Sequence, residues 1–408
     1  MTKKPNLTEI PGESLLNSDT SDISVGQHTI SSEVVDAYEV PRFSPLGWCK
    51  FILGLIFLFP VRVILAVLAC LLLLILFIIH LPFIGPIDKP QKPFMRKVIR
   101  IYAAAWARLL LYINGFWFIK ENGRPDRNAQ ILVSNHQGCF DMLFYLWKFT
   151  PSFLVGEFVV DNWFLGPLTR CINAIGVNRK KDGNSTTVVK LLQKRVEDRT
   201  HTFPPCLIFV EGATGNGNSL NYFHTGAFIP GVPVQPIVLR YHEKMNRTQW
   251  SVRSWVFHYM VSMCQLTQWL EVTYLPVYHP SSAERDHPRV FAYNVKQAMA
   301  KVGEFGQTNL RYADRKQYER DRKELKKLKL PIPQPRSRRD MFVYSPEPII
   351  PVAPASYNSH NAVYVSHQPL PNAETLLLIE QMGKTISSSE KGFTGQEEDY
   401  TEITESKV

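Results

Sequence analysis

The sequence predicts an α/β domain carried behind an N-terminal membrane segment, and three observations lead there. One apolar block, Phe51–Leu81, is too long and too apolar for the buried helix of a soluble core. Beyond about Phe116, short apolar runs bounded by turn residues alternate with stretches whose apolar residues recur at helical spacing. Both ends are polar and without periodicity, so the 45% hydrophobic content of the 408 residues averages over dissimilar parts.

Taken in order, residues 1–43 are rich in Ser, Thr and acids and are expected to form a disordered tail. No basic n-region followed by an apolar stretch opens them, which argues against a cleavable signal peptide. Residues 44–88 hold the membrane segment. A spanning helix takes roughly 20 apolar residues. This block is longer than one span and shorter than two, and Pro60 and Arg62 interrupt it. It reads as one tilted span starting near Val61 or, the preferred alternative, as a re-entrant hairpin kinked at Pro60. Lys50 on one side and Lys89 and Lys92 on the other blunt the positive-inside rule.

The α/β domain is expected over residues 94–310. It opens with an amphipathic helix over 94–113, where Val98, Ile99, Ala103, Trp106, Leu109 and Leu110 recur at helical spacing. Strands follow at Gln130–Ser134, Gly176–Asn178, Cys206–Val210, Val234–Leu239 and Glu271–Val277, with helices at Asp141–Phe149 and Thr187–Asp198. Residues 311–330 read as a basic helix, either solvated or bound to lipid head groups. Residues 331–408 read as a second disordered tail.

The net charge of +10 is unevenly placed: acids gather before Val40, and bases gather at Lys89–Arg100 and Arg311–Arg339. Basic residues beside a membrane segment favour anionic lipids, and no nucleic-acid-binding module is present, so membrane lipids and not nucleic acid are the expected partners. The six cysteines show no metal-ligand or redox spacing and are expected to be reduced thiols, with no metal site. Asn184 and Asn246 head N-glycosylation patterns of the kind that occur by chance.

The chemistry begins at Ser134–Asp141, SNHQGCFD. An apolar strand ends in Ser-Asn-His and a helix begins, the usual place for active residues in α/β sheets. Asp141, five residues after His136, can curl back towards the imidazole. A carboxylate on one ring nitrogen fixes the tautomer and stabilises the imidazolium formed when the other nitrogen takes a proton. A substrate hydroxyl would then stand where a hydrolase has its serine. Alone, the spacing is a weak signal and more often marks a chance surface pair. Three further segments give it context: IGVNRKKDG around Arg179, the Gly-rich FVEGATGNG of Phe209–Gly217, whose amides could face an anion, and GAFIPGVPVQPIVLR of Gly226–Arg240. Cys139, with no second histidine near it in sequence, reads as a helix-packing thiol.

With these four segments in order, the chain resembles the phospholipid and glycerolipid acyltransferases, whose first motif is Asn-His-x-x-x-x-Asp. It is most similar among them to the lysophosphatidylcholine acyltransferases, through His224–Tyr241 and Gln265–Glu284, and the resemblance covers about Ser44 to Gly306. It implies a glycerolipid acyltransferase-like domain with a mixed sheet flanked by helices, His136 as general base and Asp141 as its orienter. It implies substrate-binding roles for Asn135, Arg179, Glu211, Gly212 and Thr214. Since a glutamate does not attract a phosphate, Glu211 is expected to bind a hydroxyl or to hold Arg179. The third motif departs from the family, with Val210 and Ala213 where proline and threonine are usual, which bears on acceptor preference. No calcium-binding loop follows the domain, so calcium regulation through one is not expected.

The expected activity is transfer of an acyl group from acyl-CoA, a co-substrate, to the hydroxyl of a lysophospholipid of lysophosphatidylcholine or lysophosphatidic-acid type. No cofactor takes part. The expected location is the endoplasmic reticulum membrane, with the lipid droplet and Golgi as alternatives. The rival reading is a catalytically inactive membrane-hairpin adaptor that retains the domain as a scaffold.

Overall fold

The computed structural model describes residues 23–25, 28–126, 128–163, 165–177, 186–197, 203–242, 249–252 and 254–336. In chain order come β1 (Ile23–Val25), β2 (His28–Ile30), α1 (Ser32–Tyr38), α2 (Pro45–His80), α3 (Pro93–Ile113), β3 (Ile119–Asn122), β4 (Ile131–Ser134), α4 (Cys139–Lys148), β5 (Ser152–Gly156), α5 (Glu157–Val160) and α6 (Leu165–Cys171). Then follow β6 (Ile175–Val177), α7 (Thr186–Glu197), β7 (Cys206–Phe209), β8 (Ser219–Leu220), β9 (Gln235–Tyr241), α8 (Trp255–Met263), β10 (Leu270–Tyr274), α9 (Ser282–Asp286), α10 (Pro288–Gly303), β11 (Gly306–Gln307) and α11 (Tyr312–Lys327).

The expected mixed sheet is present. Seven strands lie in the order β3-β10-β9-β4-β7-β5-β6, and β9 against β10 is the antiparallel pair among parallel ones. β4, the strand that runs into His136, is the middle strand. It is buried on both faces, which is why it reads as a continuous apolar run and not as an alternating one. Ile131 and Val133 pack with Phe291, Val295 and Leu192 on the face of α7 and α10. Leu132 packs with Leu207, Leu239, Phe140, Phe144 and Leu111 on the face of α3 and α4. Each such fully buried aliphatic side chain contributes about 1.5–3 kcal/mol.

Pro45–His80 is one continuous helix that runs through Pro60, so the reversal required by a hairpin is not formed. Its packing on both sides of Pro60 explains the continuity. Before it, Phe51 sits with Val261 and Cys264. After it, Ala66 and Ala69 sit with Leu110 and Met263. Arg62, which read as an interruption, is buried and donates to the carbonyls of Met263, Gln265 and Leu266 at 2.8, 2.5 and 3.0 Å. Met263 is the last residue of α8 and Gln265 and Leu266 follow its cap, so the guanidinium sits at the C-terminal end of that helix, where a cation is favoured. The Trp106 indole in α3 adds a hydrogen bond to the Ala69 carbonyl at 3.0 Å. The stretch Pro45–Phe83 is long and apolar enough to cross a membrane, and only 17% of its most apolar window is buried.

Part of the expected N-terminal tail is structured. Residues 28–43 were expected to lack structure, yet Ser31 caps α1, and Val35, Ala37 and Tyr38 pack against Tyr318 and Leu325 of α11. The acids that suggested solubility are ion-pair partners: Asp36 meets Arg336 at 2.6 Å, and Glu39 meets Arg322 at 2.7 Å. Both partners lie nearly 300 residues away, so local composition gives no sign of them. The rest of the tail, to residue 22, and residues 337–408 lie outside the described residues.

Candidate active site

The parallel strands β4, β7 and β9 deliver their C-terminal ends to one edge of the sheet, and with them His136, Glu211 and Tyr241. His136 follows β4 by two residues, and Asp141 lies in the first turn of α4. His136 Nδ1 is 2.8 Å from Asp141 Oδ2. The same oxygen accepts the amides of Gln137 at 2.6 Å and Gly138 at 2.9 Å, while Oδ1 accepts the Tyr241 hydroxyl at 2.5 Å. Four donors on one fully buried side chain are the environment of a carboxylate. The imidazole proton then sits on Nδ1, and Nε2 is left as an acceptor. The His136 ring stacks on Phe209, centroids 4.0 Å apart and planes 16° apart. Its side chain keeps 19% of its exposure against 0% for Asp141. Among the described residues Nε2 has no hydrogen-bond partner.

The peptide segment carrying His136 is held on both sides. Its own amide donates to Glu211 Oε1 at 3.2 Å, and its carbonyl accepts the Gly215 amide at 3.1 Å. The Gln137 carbonyl accepts the Trp250 amide at 2.6 Å. Glu211 Oε2 accepts both the amide and the side-chain Nδ2 of Asn221, at 3.0 and 2.9 Å. Burial raises the pKa of Glu211, and the hydrogen bonds from Asn221 and His136 act against that. Gly212 turns the chain after β7 with φ +65°, a left-handed conformation that suits glycine.

The structure therefore brings His136, Asp141, Glu211 and Gly212 together, and it changes what several expected site residues can do. Asn135 is buried, with Nδ2 donating to the Leu239 carbonyl and Oδ1 accepting the Leu239 amide, at 2.9 and 2.8 Å. It extends the pairing of β4 with β9, with both ends of its side-chain amide bonded to the Leu239 backbone. The Thr214 hydroxyl accepts from Arg315 at 2.8 Å and is likewise buried. Both Glu211 oxygens accept hydrogen bonds from the protein, and through Oε1 the side chain braces the His136 amide. The expected anion cradle in the Gly-rich loop is not formed by the amides of 212, 215, 216 and 218. They donate to Phe209, His136, Ala37 and Asn216 respectively. Arg179, together with Asn178, Asn184 and Asn246, lies outside the described residues.

Sequence reasoning missed Tyr241, Phe209, Asn221 and Arg315. Phe209 opens the third motif segment, but nothing in the sequence shows that its ring lies under His136. The others sit at distances fixed only by the fold. It also missed that Cys139 does have a histidine near it: Cys139 Sγ is 3.6 Å from His258 Nε2, across 119 residues of sequence. Burial, and then the charge of Asp141, push the Cys139 thiol up to about 12. A thiol so raised is held protonated, as a packing group is.

Comparison with known proteins fits this geometry. Residues 118–240, from the start of the sheet to β9, match the family model described as Acyltransferase. Lysophospholipid acyltransferase LPEAT1 of Arabidopsis thaliana is 30% identical over 242 residues, 52% of this chain and 61% of that protein. Lysophosphatidylcholine acyltransferase 1 of Mus musculus is 31% identical over 274 residues, 64% of this chain and 50% of that protein. The chain thus spans 50% to 61% of the length of these two relatives. A solved structure, the 1-acyl-sn-glycerophosphate (LPA) acyltransferase PlsC from Thermotoga maritima, aligns with a TM-score of 0.35 at 16% identity, over 51% of this chain and 80% of that one. The resemblance drawn from the motifs is borne out: residues 118–240, which hold His136, Asp141 and Glu211, match the acyltransferase family model.

Proposed function

We propose that this protein is an acyl-CoA-dependent O-acyltransferase that esterifies the free hydroxyl of a lysophospholipid, of lysophosphatidylcholine or lysophosphatidic-acid type. The observation that carries the reading is the His136–Asp141 pair: a buried carboxylate fixes Nδ1 at 2.8 Å, and no side chain among the described residues hydrogen-bonds Nε2 as a nucleophile would. The nucleophile is then the acceptor lipid. Its hydroxyl gives a proton to Nε2 as its oxygen attacks the thioester carbonyl of acyl-CoA. The imidazolium rests against Asp141. When the tetrahedral intermediate collapses, the C–S bond breaks and the departing thiolate takes the proton from Nε2. The reaction calls on no metal and no organic cofactor. The relatives' names supply the substrate class.

The same reading makes the protein membrane-bound. Leu53, Ile56, Phe57, Ile64, Leu68 and Ile75 of α2 are all more than half exposed, a patch that water does not tolerate and acyl chains do. A helix of 36 residues is about 54 Å long and exceeds a hydrocarbon core of about 30 Å, so α2 lies tilted or extends past the core at one end. The endoplasmic reticulum membrane is the proposed site, where both amphipathic substrates gather.

Membranes carrying the wild type are to be incubated with labelled acyl-CoA and a panel of lysophospholipids, beside His136→Ala at equal membrane content. Esterification in the wild type and none in the variant is expected. Turnover at the wild-type rate in His136→Ala overturns the base assignment. A wild type inert on every acceptor makes the domain a scaffold.

A further inference from the structure

The basic helix α11 read as a solvated or lipid-facing helix, but one of its arginines points inward. Arg315 is 9% exposed and every guanidinium nitrogen is engaged. Nε meets Glu319 of its own helix at 3.2 Å. Nη1 donates to the Thr214 hydroxyl and carbonyl at 2.8 and 3.2 Å, and Nη2 donates to the Ser251 carbonyl at 2.6 Å. Thr214 and Ser251 belong to separate loops, and the residue beside each makes a bond to the His136 segment. Gly215, next to Thr214, donates its amide to the His136 carbonyl at 3.1 Å. Trp250, next to Ser251, donates its amide to the Gln137 carbonyl at 2.6 Å. A single planar group thus fastens the two loops that hold consecutive carbonyls of the catalytic turn.

We infer that Arg315 is a positioning residue for the acyl-transfer reaction: it clamps the 214–216 and 250–251 loops so that the His136–Gln137 peptides, and with them the imidazole, stay in line with Asp141. The inference rests on the reading of His136 as the base. Two features give it its specific form. The fork geometry of a guanidinium bridges two acceptors at once, which a lysine ammonium on its flexible stem does poorly. The helix is also fixed over its next two turns, where Tyr318 and Arg322 meet Glu39 at 2.8 and 2.7 Å, so Arg315 is presented by a braced element. A displacement of a catalytic group by about 1 Å lowers a rate by about 100-fold. The loss of the clamp therefore shows in kcat more than in substrate affinity.

The test uses the full chain in membranes or detergent micelles, as wild type, Arg315→Gln, Arg315→Lys, Lys323→Gln on the exposed side of the same helix, and His136→Ala. Turnover per folded protein is measured with oleoyl-CoA and lysophosphatidylcholine. The rate of His136 ethoxyformylation by diethyl pyrocarbonate is measured by peptide mass spectrometry. Arg315→Gln is expected to lower kcat at least tenfold with both KM values within twofold, and to change the rate of His136 modification at least threefold. Arg315→Lys, which keeps the charge and the fold, is expected to fall between Gln and wild type in both readouts, and Lys323→Gln to match the wild type. The inference is overturned if Arg315→Gln, or Arg315→Lys should the first not fold, leaves His136 reactivity and kcat per folded molecule within twofold of wild type. Wild-type turnover in His136→Ala overturns the base assignment instead, and His136 reactivity still reports on the clamp.

Discussion

The Tyr241 hydroxyl lies 2.5 Å from Asp141 Oδ1, on the carboxylate oxygen that His136 does not use. Burial, and next the charge of Asp141, raise the Tyr241 pKa well above its usual value, so it remains a donor throughout the working range. Tyr241→Phe removes one of four donors from a carboxylate sealed from water. The expected cost is about 1–3 kcal/mol of stability, together with a fall in kcat of roughly tenfold as the carboxylate loosens. Chemical denaturation in detergent and steady-state kinetics measure the two separately. An unchanged kcat would show that the amides of Gln137 and Gly138 hold Asp141 by themselves.

Asp141→Asn tests the other half of the pair. An amide in this position cannot accept Nδ1–H, two backbone amides and a tyrosine hydroxyl together, because one of its ends donates. The imidazole then loses its fixed tautomer and its imidazolium loses its counter-charge. A fall in kcat on the order of 1,000-fold or more is expected, with KM for the lysophospholipid little changed. A variant that keeps kcat and loses affinity would move Asp141 from chemistry to binding.

How far the sequence reached follows from where information is local. β4 and β7 are visible because strands buried on both faces need near-unbroken apolar runs, β9 through its Ile237–Leu239 run behind Pro236, and His136 and Asp141 because five residues and one turn join them. The same limit explains the failures. Asn135 and Thr214 have the residue types of substrate contacts, and only the position of Leu239 and Arg315, about 100 residues on, shows that they are used internally. Asp36 and Glu39 looked like tail acids until Arg336 and Arg322 were beside them. Pro60 looked like a break because a local rule cannot know that the helix is pinned on both sides.

Lys296 on α10 gives a pH prediction. It is buried, donates to the Thr308 carbonyl at 2.6 Å, and burial lowers its pKa to about 8, against attraction from Glu211 and Glu33. Between about 8 and the unfolded value near 10.5 the unfolded chain binds more protons than the folded one, so stability rises with pH across that window. Below about 8 the folded protein carries the full cost of a buried charge, roughly 3 kcal/mol by the size of the shift. Lys296→Met removes that cost. Its stability relative to wild type should be greater at pH 7 than at pH 10, by an amount of that order. Equal differences at the two pH values would mean that the ammonium is already compensated in the fold.

Gly54 lets α2 meet the domain at backbone distance. A Cβ built there comes within 2.0 Å of the Cys264 carbonyl oxygen and 2.7 Å of its carbon, and backbone cannot turn aside as a long side chain can. The contact adjoins Arg62, whose three acceptors at the end of α8 require the two helices to stay in register. Gly54→Ala should therefore cost about 1–3 kcal/mol through overpacking, and more if the Arg62 bonds part. The apolar outer face of α2 is untouched, so the variant should remain in the membrane fraction while its thermal midpoint falls. Gly226→Ala, where nothing lies within 4 Å of the added atom, is the control for loss of a glycine alone. Retention of the wild-type midpoint in Gly54→Ala would mean that α2 rides on the domain without close contact. Release into the soluble fraction would instead place the membrane anchor in the packing between α2 and α8.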